Sequence, residues 1–385
     1  MNLVLHAPAS AESPAQARDL APVRAWLFAL AVLVAVMVAV GGATRLTGSG
    51  LSITEWRPVT GAVPPLSEAA WLAEFEKYRQ IPQYELVNRG MSLAEFKFIY
   101  LWEWSHRQLG RLIGIAFFVP LLLFWARGLV AGRLALALLG IGLLGALQGA
   151  VGWIMVASGL VPGAVAVAPL KLTLHLMIAS LILACLMWLA IGLRPRRPAL
   201  LPSPEGSVAG PPSAARRDAR PSRAAADADG RAAPRRGAYA VVGLALVQIV
   251  LGGLVAGSRA GFTYNTWPLI DGRLVPPAAT LFSETPWIEN FVDNLALVQL
   301  NHRIGAYLLV GLAVWHAWRV RRLGPSAAAK RATALAGLIF GQATLGVLTL
   351  LLVVPIWAGL AHQAAAMAVL ATAVAHARLS RDEGL

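Results

Sequence analysis

Eight apolar runs, each about as long as a bilayer is thick, constrain the fold of this 385-residue chain more than any other feature. A helix needs about 20 mostly apolar residues to cross the hydrocarbon core of a membrane. The runs lie near 24–44, 106–126, 134–157, 172–193, 238–258, 298–318, 332–354 and 357–377. Hydrophobic residues make up 57% of the chain and charged residues only 14%, which is atypical of a soluble domain. The sequence therefore predicts an all-α polytopic membrane protein with eight transmembrane helices.

The basic residues lie in alternate connections between the apolar runs, and this placement predicts the orientation of the chain. The clusters are Arg18 and Arg24, Arg127 and Arg133, 194–236, 319–331, and 378–381. Short basic loops stay on the cytoplasmic side of a membrane, so both termini are expected in the cytoplasm. The net charge of +14 then reflects contact with the lipid bilayer, and no nucleic-acid partner is predicted.

Residues 194–237 are rich in Arg, Ala, Pro, Ser and Gly, a composition that cannot bury a core and predicts a disordered basic cytoplasmic linker. The linker separates two groups of four spans. The predicted units are a cytoplasmic tail at 1–23, an N-terminal four-helix half at 24–193, the linker at 194–237, a C-terminal four-helix half at 238–378 and a second tail at 379–385.

The two halves repeat each other in sequence. GGATRLTGSGLSITEW at 41–56 aligns without gaps with GGLVAGSRAGFTYNTW at 252–267. Further matches follow in the same order: His106-Arg107 with His302-Arg303, Gln148-x-x-x-Gly152 with Gln342-x-x-x-Gly346, and His175 with His362. Four spans per repeat give both halves the same orientation, so we expect two pseudo-symmetric four-helix bundles in parallel. The repeated glycines permit close approach either to a ring or between helices, and the sequence leaves both open.

Four of the seven histidines lie near the outer start of a span in this topology, two in each half. They are His106, His175, His302 and His362. One such histidine is often structural, but four at matching repeat positions favour metal ligation. Two imidazoles per half suit haem iron, which takes its other four ligands from the porphyrin, better than zinc. His316 and His376 fall near inner helix ends and are expected to be interfacial, with no ligand role.

Arg107 and Arg303 each follow a candidate iron ligand directly. Arginine pairs well with carboxylates, so these side chains are candidates for binding haem propionates. The alternative is that they extend to the phosphate groups of lipids.

The halves differ one helical turn before the first histidine of each pair. Glu103 lies on the same helix face as His106, whereas the equivalent position is Gln299 in the second half. The first half thus has a candidate acid–base group beside its metal site, and the simplest division of labour places chemistry there and electron transfer in the second half. A solvated Glu103 at the outer surface is the alternative. A di-iron carboxylate site would need further carboxylates within the spans, which the sequence lacks.

In combination, these motifs resemble those of the haem A synthases. The resemblance rests on GGATRLTGSGLSITEWRPVTGAVPP, on EWSHRQLGR, on KLTLHL around His175 and on the NHR segment paired with His362, and it covers nearly all of 25–378. It implies an oxidoreductase that converts a methyl group of haem O to a formyl group by successive hydroxylations, giving haem A for terminal oxidases. Some bacterial members carry a cysteine pair in the first outer loop, and this chain has only Cys185.

The resemblance also implies roles for the candidate residues. His106 and His175 are expected to hold the substrate haem, with Glu103 as the catalytic carboxylate, and His302 and His362 to hold a permanent haem b. The implied location is the bacterial inner membrane, with haem O synthase and oxidase assembly factors as partners; the electron acceptor stays open. Two rival functions remain at this point: a di-haem electron-transfer cytochrome and a non-enzymatic haem carrier.

Overall fold

The structure, a computed structural model, describes residues 19–194 and 221–382, with side chains from 234 onward in the second range. These residues are almost entirely helical, and within them the only strand-like pairing is a single bridge between Ile270 and Arg273. The helices are α1 (Ala21–Leu46), α2 (Glu68–Arg79), α3 (Pro82–Leu86), α4 (Leu93–Ala126), α5 (Gly132–Ala157), α6 (Pro169–Gly192), α7 (Pro221–Ser258), α8 (Ala278–Leu281), α9 (Leu295–Arg322), α10 (Ala327–Leu351) and α11 (Ile356–Asp382).

Eight of the described helices are long and apolar enough to cross a membrane, which confirms the predicted spans. They are α1, α4, α5, α6, α7, α9, α10 and α11. Helices dominate because no water is present in the hydrocarbon core, so each backbone N–H and C=O must find its partner within the chain. The protein is therefore a multi-pass membrane protein.

Helix α4 begins well before its apolar run because a capping box fixes its start. The Ser92 hydroxyl accepts a hydrogen bond from the Glu95 N–H, and the Glu95 carboxylate accepts from the Ser92 N–H in return. Its 34 residues span about 51 Å, against about 30 Å of hydrocarbon. The extra turns carry Phe96, whose ring lies 5.4 Å from that of Tyr78 on α2. The surface helix α2 is thereby packed on the projecting end of α4.

The predicted linker differs from the structure at its C-terminal end. Helix α7 begins at Pro221, so 221–237 has helical backbone where disorder was expected. The stretch AAADADGRAA within it is rich in alanine, which has the highest intrinsic helix propensity, and this lets the fifth span extend into the linker sequence. Residues 195–220 of the predicted linker lie outside the described residues.

The long helices pack in two consecutive groups. In the first, α1 contacts α4 and α6, and α5 contacts α6; in the second, α7 and α10 each contact both α9 and α11. Contacts of α6 with α7, and of α1 and α6 with α11, join the groups. Whether a pseudo-two-fold axis relates the halves stays a prediction.

Glycines allow the two groups to approach closely. A methyl group on Gly257 of α7 would come 2.7 Å from Cα of Pro169 on α6. Gly42 of α1 gives room to the side chain of Gln363 on α11, whose amide donates a hydrogen bond of 2.9 Å to the Val38 carbonyl. The contact between the halves thus depends on positions without a side chain.

We expect Gly257→Ala to lower the free energy of unfolding in detergent by about 1–3 kcal/mol, because the added methyl group meets backbone that cannot move aside. Gly243→Ala on the same helix is the matched control, since its methyl group would point into open space. This control should be neutral or stabilising by up to about 1 kcal/mol, because alanine favours helix. Thermal unfolding followed by circular dichroism measures both, and equal stability of the two variants would contradict the close contact.

Candidate functional site

Each of the four candidate ligand histidines packs its ring against a glycine of a neighbouring helix. A methyl group on Gly152 would come 2.8 Å from Cε1 of His175, and one on Gly346 would come 2.8 Å from Cε1 of His362. Gly252 would meet Cε1 of His302 at 3.1 Å, and Gly41 would meet Nε2 of His106 at 3.0 Å. At these positions the close approach that the sequence left open is to a ring.

The histidines are brought together in pairs, one pair in each half. The rings of His106 on α4 and His175 on α6 lie close enough to interact electrostatically, as do those of His302 on α9 and His362 on α11. All four are half-buried. Each half therefore presents two imidazoles from two different helices, the donor set that haem iron takes from a protein.

In the second half, a glutamine side chain holds each ring. The amide nitrogen of Gln248 lies 3.0 Å from Nδ1 of His302 and donates to the main-chain carbonyl of the same residue at 2.9 Å. Gln342 makes the same two contacts to His362, at 3.1 and 2.9 Å. Sequence reasoning missed Gln248, although the spacing Gln248-x-x-x-Gly252 matches that of Gln342 and Gly346 and could have revealed it.

The first half lacks these contacts. The main chain of Gln148 faces the His175 ring, but Nδ1 of His175 and Oε1 of Gln148 are both buried without a hydrogen-bond partner in the described part of the chain. The residue at the position equivalent to Gln248 is Met37, four residues before Gly41, and a thioether cannot hold a ring in this way.

Glu103 is buried, with only 3% of its surface exposed, so the solvated alternative does not hold. Its Oε2 accepts hydrogen bonds of 2.8 Å from the Ser52 hydroxyl and of 2.8 Å from the Ile53 N–H. Its Oε1 accepts from Arg107 at 2.6 Å. Four residues of separation place the acid and the arginine on adjacent turns of α4. Two donors from the outer loop and the Arg107 guanidinium thus hold both oxygens of the side chain in place.

In the second half, a neutral amide joins the outer loop to the arginine in the way that Glu103 does in the first half. The Gln299 side chain donates to the Ala260 carbonyl at 3.0 Å and accepts from Arg303. The loop group that faces the side chain is thus an N–H donor in the first half and a C=O acceptor in the second. The Glu-to-Gln difference that the sequence showed is matched by the loop that each side chain meets.

Arg107 and Arg303 fasten the outer loops to the helices. Arg107 donates to the carbonyls of Ile53 and Glu55 at 2.8 and 3.0 Å. Arg303 is 8% exposed and donates to four loop carbonyls, those of Tyr264, Thr266, Pro268 and Leu269. Their guanidinium groups are therefore committed to the protein, and propionate binding by either one stays a prediction.

The expectation that His316 and His376 are interfacial is wrong. Both are 2% exposed, and Nε2 of His316 lies 2.8 Å from Nε2 of His376. They lie on α9 and α11, each 14 residues beyond a candidate ligand of the same helix, which is about four turns. Gly237 of α7 lets the His316 ring enter the helix packing. The apolar pattern gave the depth of these histidines but not the direction in which they face.

We expect His376→Leu to lower the free energy of unfolding by about 1–3 kcal/mol, because it leaves the buried Nε2 of His316 without a partner. His316→Leu should cost a similar amount, and the double variant should cost clearly less than the sum. Thermal unfolding measures all three, with the haem absorption spectrum as a control for the outer histidines. Strictly additive costs would contradict the hydrogen bond between the two rings.

Comparison with known proteins gives the family of the chain. The model of the family described as cytochrome oxidase assembly protein (COX15-CtaA) matches residues 24–374. A protein of Methylobacterium sp. (strain 4-46) named Heme A synthase is 60% identical over 375 residues, which cover 96% of this chain and 95% of the relative. Proteins of the same name from Beijerinckia indica subsp. indica and Bradyrhizobium sp. (strain ORS 278) are 52% and 50% identical, covering 95% and 94% of this chain and 94% and 92% of the relatives.

No solved structure matches the chain. The family model spans all eight apolar helices, and the relatives match over nearly their full length. The chain therefore belongs to the haem A synthase family of cytochrome oxidase assembly proteins.

Proposed function

We propose that this protein is a haem A synthase, which oxidises a methyl group of haem O to a formyl group and so provides haem A for terminal oxidases. The proposal rests on one observation: two otherwise matching histidine pairs differ in whether a carboxylate lies beside them. Only the first pair has a buried carboxylate, Glu103, one turn from a ligand, and Gln299 replaces it in the second half. Relatives named Heme A synthase over the full length support the same function.

The substrate haem binds in the first half. His106 and His175 hold its iron and set the position of the ring, and Gly41 and Gly152 leave space beside the imidazoles. A flat macrocycle needs such bare backbone because side chains would fill the space between the helices. Arg107 follows His106 directly, and we infer that it meets a propionate at the edge of the ring with donors that its bonds to Glu103 and the loop leave over.

Haem b occupies the second half, where the residues suit such a cofactor. His302 and His362 provide two imidazoles, and Gly252 and Gly346 form cradles that a methyl group would fill. Arg303 stands at the edge in the same relation as Arg107. Haem b bound there supplies one-electron storage for the oxidation.

Glu103 acts as the catalytic carboxylate. Its Oε1 and Oε2 are held at a fixed place by hydrogen bonds from Ser52, Ile53 and Arg107. Each oxidation of the methyl group passes two electrons to an external acceptor and leaves positive charge and protons behind; a fixed carboxylate can stabilise that charge and accept a proton. The donors from the loop also keep the carboxylate from turning away from the ring.

The cellular setting follows from the same proposal. The protein lies in the bacterial inner membrane with both termini in the cytoplasm, because its basic connections alternate with acidic or neutral ones. Its partners are haem O synthase, which makes the substrate, and the factors that assemble terminal oxidase.

Replacing each of His106, His175, His302 and His362 by alanine tests the placement of the haems. We expect the first two variants to lose haem O and haem A and to keep haem b, and the last two to lose haem b. Extraction of the pigments and mass analysis measure this. If the wild-type protein yields haem b alone from cells that supply haem O, the protein is a di-haem cytochrome and the proposal is wrong.

Glu103→Gln should retain the substrate haem but lower formation of haem A by at least about 100-fold, because the amide carries no charge and cannot accept a proton. Ser52→Ala is the matched control, since it removes one hydrogen bond from Oε2 and leaves the charge in place. We expect a much smaller loss in that variant. Unchanged product formation in Glu103→Gln would indicate a haem carrier or a structural role. An equal loss in Ser52→Ala would show that loop order, and not charge, limits the reaction.

A further inference from the structure

Three of the four ring-contacting glycines are preceded, one helical turn earlier, by a glutamine. The pairs are Gln148 with Gly152, Gln248 with Gly252, and Gln342 with Gly346, and the fourth glycine, Gly41, is preceded by Met37. Residues four apart lie on the same helix face. The glycine and the residue four positions before it therefore lie on adjacent turns of the helix and face the same histidine.

In the second half this arrangement restrains both rings completely. Each glutamine amide lies within hydrogen-bond distance of Nδ1 and of the main-chain carbonyl of one histidine, so it fixes the ring relative to its own backbone. Gly305 on α9 leaves room for the Gln248 side chain, because a methyl group there would overlap its Oε1. Both rings are then held by a glycine on one side and an amide at Nδ1.

The amide oxygens of Gln248 and Gln342 are buried and, within the described residues, have no hydrogen-bond partner. A neutral imidazole that binds iron through Nε2 carries its proton on Nδ1 and needs an acceptor there. A half-turn of each amide would bring Oε1 to Nδ1 as an acceptor and would replace the hydrogen bond to the main-chain carbonyl. Each ring of the second half thus has beside Nδ1 an amide that donates to the free ring in the present orientation and accepts from Nδ1–H in the other.

In the first half the restraint is missing at both rings. Met37 offers no hydrogen bond to His106, and that ring presents Nε2 to its glycine where His302 presents Cε1. Gln148 does not engage His175 through its side chain, and Nδ1 of His175 is unpaired among the described residues. Besides the glycine contacts, His175 faces only the main chain of Gln148 in the part of the chain that the structure describes, just as His362 also faces the main chain of Gln342.

We propose that Gln248 and Gln342 are positioning residues that make the second haem permanent. In the first half, Met37 stands in place of one glutamine and the Gln148 side chain makes no hydrogen bond to His175, so the first haem exchanges. The inference rests on the proposed function, which requires one site to keep its cofactor and the other to receive substrate and release product. A ligand that is fixed before iron binds loses little conformational freedom on binding and rebinds quickly after a bond breaks. A mobile ligand does neither.

The test is made on the full-length protein with Gln248→Leu and Gln342→Leu. We expect haem b to be lost to an excess of apomyoglobin about 10- to 100-fold faster than from the wild type, the usual effect of removing a hydrogen bond to a metal-bound histidine. Its reduction potential should rise and its electron paramagnetic resonance g-values should change, because Nδ1 loses its acceptor and the imidazole becomes a weaker donor to iron. Gln342→Glu retains an acceptor, and its potential should not rise.

Gln148→Leu is the matched control in the first half and should leave the exchange rate and the potential of haem b unchanged. The reverse change, Met37→Gln, introduces an amide beside His106, where Gly110 leaves room for the present side chain. We expect it to slow exchange of the substrate haem by several fold. Slower exchange in Met37→Gln is measured on a variant that gains a contact, so the test remains informative if a leucine variant fails to fold.

Unchanged exchange rate, potential and g-values in both leucine variants would overturn this inference, as would an equal rise of the potential in Gln342→Glu and Gln342→Leu. Neither result would touch the proposed function. That proposal fails separately, when the wild-type protein yields haem b alone from cells that supply haem O.

Discussion

The contact of an imidazole ring with bare helix backbone is the interaction on which the rest of this molecule depends. Gly41, Gly152, Gly252 and Gly346 each leave the space that one ring occupies, and each lies on the helix next to that ring. In lipid the helices have little hydrophobic reason to associate, so close backbone approach and hydrogen bonds must hold them. The same small residues therefore pack the helices and form the walls of the candidate haem sites.

The outer loops depend on buried polar side chains in a similar way. Loop segments near 52–58 and 260–269 present backbone groups toward the helix ends, and Glu103 with Arg107, and Gln299 with Arg303, satisfy many of them. An unpaired backbone group in this region would cost several kcal/mol. These residues thus serve two purposes, since they order the loops and carry the charge difference between the halves. Glu103 therefore orders the loop through its hydrogen bonds to Ser52 and Ile53, in addition to any part it has in chemistry.

The sequence predicted the eight spans, because these depend on local patterns of apolar residues. The repeat also placed the four histidines at matching depth. The sequence alone does not predict how α9 and α11 are rotated about their axes. That rotation turns His316 and His376 toward each other, and it depends on packing against α7. The contacts of Gln248 to His302 and of Arg107 to Ile53 join residues more than 50 positions apart, and no local pattern reports them.

Adjacent glycines serve both the rings and the contact between the halves. Gly41 and Gly252 face a histidine, while the next residues, Gly42 and Gly253, face Gln363 and Thr173 of the other half. The ring contact lies within one half and the seam contact joins the two halves, yet both come from the same turn of α1 or α7. A rotation of either helix about its own axis would therefore disturb the candidate haem site and the joint between the halves together.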